Sequence, residues 1–157
     1  MPALAVADAL RADGAEVHFV GGERAEATLV PEAGYALHPL RMVPLPRRHP
    51  VAGARALGID ARAVGGALRL LHDLQPAGVL GAGGYVSGPV SLAALLRHTP
   101  LVLSEADSHL GLTNRLLAPL AQRVCLAFPM PGRDGARYRV TGRPVPPPFP
   151  DRDGARR

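Results

Sequence analysis

Gly81-Ala82-Gly83-Gly84-Tyr85-Val86-Ser87-Gly88-Pro89 is the stretch on which the reading of this chain turns. It follows the short apolar run Ala77 to Leu80 and precedes a helical stretch over 88–98. A strand that runs into glycines and then into a helix is the βα turn of an open α/β sheet. Such turns lie at the carboxyl edge, where ligands bind in that architecture. Glycine lets backbone approach a ligand closely, and the first amides of the following helix attract anions. A tight turn alone would also use glycines. Tyr85 and Ser87 add hydrogen-bonding groups that a plain turn does not need.

Outward from this loop, strands and helices alternate. Toward the amino terminus the pattern predicts a helix over 2–13, a strand over 16–20, a helix over 23–33 and a strand over 35–40. A proline-broken basic loop follows at 42–50, then a mainly helical stretch over 51–75 with a weak point at Gly65-Gly66. Val64, Leu68 and Leu71 share one face of that helix, at spacings of four and three. Toward the carboxyl terminus come a strand over 101–103, a helix over 109–120, and strands over 123–127 and 138–141. The alternation predicts an α/β fold with a Rossmann-like, doubly wound parallel sheet. Such a unit normally opens with a strand, whereas this chain opens with a helix. From Arg143 the run Arg-Pro-Val-Pro-Pro-Pro-Phe-Pro reads as a polyproline linker, and the tail after it as disordered.

A second polar stretch, Leu103-Ser104-Glu105-Ala106-Asp107-Ser108-His109, leaves the next strand at the same edge. Carboxylates and a histidine there suit acid–base work. A plainer role is available: Asp107 or Ser108 could cap the helix that follows. Glu105 resists that reading, because it leaves a buried strand beside the glycine loop. Asp151-Arg152-Asp153 spells the D-x-D of metal-dependent glycosyltransferases, but no strand precedes it and the spelling is read as coincidence. No cluster of His, Cys and carboxylates has metal spacing, and no phosphate-binding P-loop or GxSxG elbow is present.

Bulk properties exclude several classes. The chain has 157 residues, 47% hydrophobic, enough for one globular core without disulfide or metal staples. Net charge is +5, and all 18 basic residues are arginine. The pI near 10.6 comes without a base-stacking platform, since aromatics are only 4%, so a nucleic-acid partner is not expected. The single cysteine, Cys125, sits in an apolar run and reads as a buried small hydrophobe. No secretory leader is visible, and no apolar run reaches the roughly 20 residues that span a bilayer.

Four stretches in collinear order, over about residues 2–147, resemble the MurG family of glycosyltransferases. GAGGYVSGP is similar to that family's G-x-G-G-Y-V-S-G-P loop. PALAVADAL looks like the helix after its first glycine loop, LVLSEADSHLGLTNRLLA like its H-E-Q-N-x-x-x-G-L-x-N segment, and TGRPV like its G-N-P-V-R segment. Departures are Ser104 for the usual His, Ala106 for the usual Gln, and Pro146 where an Arg is expected.

The resemblance implies the amino-terminal half of a two-domain GT-B enzyme. Residues 1–142 would be the acceptor-side domain, without the first strand and the G-G-T-G-G-H loop. Residues 143–157 would be a linker and tail leading to a donor-binding domain. The implied reaction is inverting transfer of GlcNAc from UDP-GlcNAc to the muramyl sugar of lipid I, giving lipid II, with no cofactor and no catalytic metal. Gly83, Gly84, Tyr85 and Ser87 would line the acceptor diphosphate and sugar. Glu105 would be the catalytic candidate, and Asp107 and Arg143 would contact the donor, which the second domain mainly holds. Asn114 matches the later asparagine of its segment, where a structural role stands beside a functional one. Arg48, Arg55 and Arg62, with Arg69, recur every seven residues, in the span where the family meets the cytoplasmic face of the plasma membrane. A peripheral position on the cytoplasmic side of the bacterial membrane is the implied location. Two other readings stand beside the enzyme: a non-catalytic module that holds a diphosphate lipid, and a nonfunctional gene fragment. Flanking codons for a GGTxGH strand-loop and for a second glycine-rich domain would favour the enzyme.

Overall fold

A computed structural model describes residues 2–22, 25–40, 61–83 and 86–145. Its elements are α1 (Pro2–Ala12), β1 (His18–Gly21), α2 (Glu26–Glu32), β2 (Ala36–Pro39), α3 (Ala61–Leu74), β3 (Val79–Gly81), α4 (Ser87–Leu96), β4 (Leu101–Glu105), α5 (Leu112–Leu117), β5 (Arg123–Leu126) and β6 (Tyr138–Val140). All strand pairs are parallel, as the alternating pattern predicts.

The strands form two sheets, one ordered β1-β2 and the other β3-β4-β5-β6. Alternation along β1 distributes its side chains between two helical layers. Phe19, with Leu37 opposite it on β2, packs with Ala7 of α1, Val30 of α2 and Tyr35. Val20, the next residue, packs with Ala67 and Leu71 of α3 and Val90, Ala93 and Ala94 of α4. Val79 of β3 joins that same cluster. The two sheets therefore share one helical layer although β1 and β3 exchange no hydrogen bonds. Each leaves an unpaired edge, the arrangement expected when the strand that belongs between them is not among those described.

In the larger sheet, Leu101, Leu103, Val124 and Leu126 pack under α5 with Leu117, Ala118 and Ala121. The intervening residues point to the other face, and this corrects one expectation: Cys125 is only half-buried there. Its register neighbours are Ser104 and Arg139, not core residues. The helix expected over 51–75 is found as α3, running through Gly65-Gly66; residues 51–60 of that reading lie outside the described residues. The linker and tail reading falls mostly outside them too, as does Asp151-Arg152-Asp153. The helix expected over 109–120 is shorter, because 106–111 is a loop with its own hydrogen bonds.

Candidate functional site

Because β3 to β6 are parallel and in register, Gly81, Glu105, Leu126 and Val140 end on one edge of the sheet. Most of the described site residues gather there. Gly83 turns the chain after β3 with φ of +86°, a left-handed conformation that an L side chain resists. Nothing stands within 4 Å of the position its Cβ would take, so backbone geometry and not crowding calls for glycine here. Gly84 and Tyr85 lie outside the described residues.

Ser87 is the first residue of α4, and its Oγ is buried without a partner among the described residues. Ser91, one turn on, is fully buried with its Oγ likewise unpartnered. Both hydroxyls lie against Gly81: a Cβ added there would meet Ser91 Oγ and Leu103 Cδ2 at 2.8 Å and Ser87 Oγ at 3.7 Å. The missing side chain at Gly81 thus lets the first turn of α4 seat close over the end of β3. That seating brings the helix amides, with a serine hydroxyl beside them, to the sheet edge, an arrangement suited to oxygen-rich, negatively charged ligand groups.

Glu105 closes β4. Its backbone carbonyl accepts from Ala127 N–H, continuing the β5 ladder, and its side chain is buried. Oε1 accepts from Asp107 N–H at 3.2 Å, and Oε2 accepts from Gly111 N–H at 2.9 Å and Asn114 Nδ2 at 3.0 Å. Neither Asp107 nor Ser108 caps the following helix. Gly111 occupies that position, with no side-chain cap. This removes the plain capping reading and leaves Asp107 exposed on the loop. Asn114 draws on the same carboxylate. It is the single asparagine of the chain, 1% exposed, and its Nδ2 also donates to Ser104 O at 3.1 Å.

Arg143 is exposed three residues beyond β6, on the same edge. Arg62 is exposed in the first turn of α3, away from that helix's buried Ala63, Val64, Ala67 and Leu71. Arg48 and Arg55 lie outside the described residues. A shallow pocket of about 340 Å³ lined by His98, Pro100, Leu101 and Gln122 opens near the start of β4, the end opposite Glu105. Among the described residues no group of three or more His, Cys, Asp or Glu could hold a metal ion, and no helix is long and apolar enough to cross a membrane.

Residues 1–126 match the glycosyltransferase family 28 N-terminal domain. A protein of Acidithiobacillus ferrooxidans, named UDP-N-acetylglucosamine–N-acetylmuramyl-(pentapeptide) pyrophosphoryl-undecaprenol N-acetylglucosamine transferase, is 50% identical over 145 residues, covering 92% of this chain and 40% of that protein. Proteins of the same name from Pseudomonas putida and Salinibacter ruber are 42% and 47% identical, over 93% and 82% of this chain and 41% and 35% of theirs. The crystal structure of Acinetobacter baumannii MurG superposes with a TM-score of 0.75 at 28% identity, covering 96% of this chain and 43% of that one. This chain thus spans about two fifths of the length of the relatives it matches.

Proposed function

Since the chain belongs to the glycosyltransferase family 28 N-terminal domain family, we propose that it is the acceptor-binding half of an inverting N-acetylglucosaminyltransferase that converts lipid I to lipid II with UDP-GlcNAc. The observation that carries this is the edge of β3: the left-handed turn at Gly83 leads into α4, where the Ser87 hydroxyl is buried and has no partner among the described residues. A diphosphate placed there would meet backbone amides and the positive end of a helix dipole. Gly83, Gly84, Tyr85 and Ser87 form the acceptor loop in this reading.

Asp107 and Arg143, exposed on the same edge, face the sugar nucleotide, which a second domain mainly holds. Glu105 serves the reaction from the end of β4. Arg48, Arg55 and Arg62 meet the cytoplasmic membrane surface, where the lipid substrate resides. No step of the reading uses a metal or cofactor. The test compares affinities. In the transferase carrying this domain, Ser87→Ala or Tyr85→Phe should weaken a short-chain lipid I analogue several-fold and leave UDP-GlcNAc binding nearly unchanged. An equal loss for both ligands would place the loop in the wrong site.

A further inference from the structure

Glu105 and Asn114 join two elements that the chain could otherwise leave loose. Glu105 is anchored twice on the sheet, by its place in β4 and by the Ala127 N–H that its carbonyl accepts. Its side chain reaches forward to the amides of residues 107 and 111, which bracket the loop. Asn114, in the first turn of α5, reaches back to Ser104 O and Glu105 Oε2. The orientation of this amide follows from its neighbours. Turned over, Oδ1 would face a carbonyl and a carboxylate oxygen, acceptor against acceptor. As it stands, Oδ1 is buried without a partner. A buried acceptor left unsatisfied is costly, so the side chain sits where it does for its two donated bonds.

We infer that Glu105 and Asn114 are a positioning pair for the candidate site, fixing the 106–111 loop that presents Asp107 at the sheet edge. Three of the roughly four acceptor positions of the Glu105 carboxylate are taken by protein donors. The group acts on the reaction by holding the loop. The bearing of this on ligands rests on the donor-side role proposed above for Asp107. The clamp itself can be read without any ligand.

The two oxygens carry different loads, and conservative variants separate them. A Gln at 105 keeps one acceptor oxygen. Placed on the Gly111 and Asn114 side, it turns its NH2 toward Asp107 N–H, donor against donor. An Asp at 114 sets a second carboxylate against Oε2, and like charges that close favour one shared proton. The experiment is residue-resolved amide exchange on the transferase carrying this domain, with Val124 and Leu126 as reporters of global opening.

In Glu105→Gln the Asp107 amide should exchange roughly tenfold faster relative to those reporters while Gly111 changes little. In Asn114→Asp the Gly111 amide should lose protection by a similar factor at pH 7.5. It should regain it toward pH 5, once corrected for intrinsic exchange, as a proton bridges the two carboxyls. Asp107 and Gly111 changing together with the reporters, or an Asn114→Asp loss independent of pH, overturns the pair. A UDP-GlcNAc titration of the transferase separates the two levels. Correct exchange patterns with unaltered donor affinity in Glu105→Gln keep the clamp and remove the donor role of Asp107.

Discussion

Val20 of β1 and Val79 of β3 pack against the same cluster of α3 and α4 residues, yet their strands share no hydrogen bond. Among the described residues, two parallel sheets held by one helical layer, with an unpaired edge on each, leave a place for one more parallel strand. Open edges are templates for association, and unpaired amides in such a slot cost a few kcal/mol in aggregate, on the order of one per lost bond. Expressed as these 157 residues, the chain should be marginally stable or should aggregate. Fusing before residue 2 the strand and glycine loop of the Acidithiobacillus relative should raise Tm and restore a monomeric elution profile. A cooperative melt well above growth temperature without that addition would show that the slot carries no such penalty.

The two glycines of the β3 turn should fail differently when changed. Gly81→Ala drives a Cβ to within 2.8 Å of both Ser91 Oγ and Leu103 Cδ2, on side chains that are fully buried. Overpacking of this kind costs about 1–3 kcal/mol, and Tm should fall by several degrees. Gly83→Ala meets no neighbour but must hold φ of +86°. Its cost is about 1–2 kcal/mol of backbone strain, and Gly83→Asn should recover part of it because Asn tolerates that region better. Thermal melts of the three variants check the order. Equal damage from Ala and Asn at 83 would argue that the side chain, not the backbone, is what the turn rejects.

His38 supplies a pH dependence. Its ring lies on β2 with Nε2 3.0 Å from Nδ1 of His18, whose Nε2 is 3.0 Å from Glu16. Burial, and then the charge of His18, hold the His38 pKa below its ordinary 6.5. A depressed pKa means that the unfolded chain binds the proton more readily. The stability contributed by neutral His38 is therefore complete above about 6.5, and is lost as pH falls through the lowered folded value. Geometry agrees, since two cationic rings at this distance would set donor against donor. Melts taken from pH 7.5 down to 5 should show falling stability, and His38→Gln should flatten that slope. A slope unchanged in the variant would assign it to other groups.

The fold was legible because its main signal is periodic. Alternation of apolar runs with helical stretches gave the parallel sheet, and glycines marked the turn at Gly83. What sequence could not show is which way a strand residue points when both its neighbours are apolar. Cys125 lies between Val124 and Leu126, and only the register with Ser104 and Arg139 turns it off the core face. The polar stretch after β4 was legible as a place but not as a mechanism. Asp107 and Ser108 have the right chemistry to cap a helix. Glu105 takes the amides of 107 and 111 instead, and the helix starts later. Oε2 also accepts from Asn114, nine residues away, and neither composition nor periodicity announces that contact.

The arginine repeat gives the last prediction. Arg62 and Arg69 are both exposed on α3, while Ala63, Val64, Ala67 and Leu71 turn inward to the core. The apolar side of this helix is therefore spent on packing, and its contribution at a membrane would be charge. Arg48 and Arg55 precede it at the same seven-residue interval. Each basic residue near an anionic surface contributes about 1 kcal/mol, so changing Arg48, Arg55 and Arg62 together to Gln should weaken binding on the order of a hundredfold. The effect should shrink with added salt, because the Debye length falls from about 10 Å at 0.1 M to about 3 Å at 1 M. Sedimentation of the longer transferase with vesicles of graded anionic content measures both. If the triple variant pellets with anionic vesicles as well as the parent does, the membrane is met by another surface.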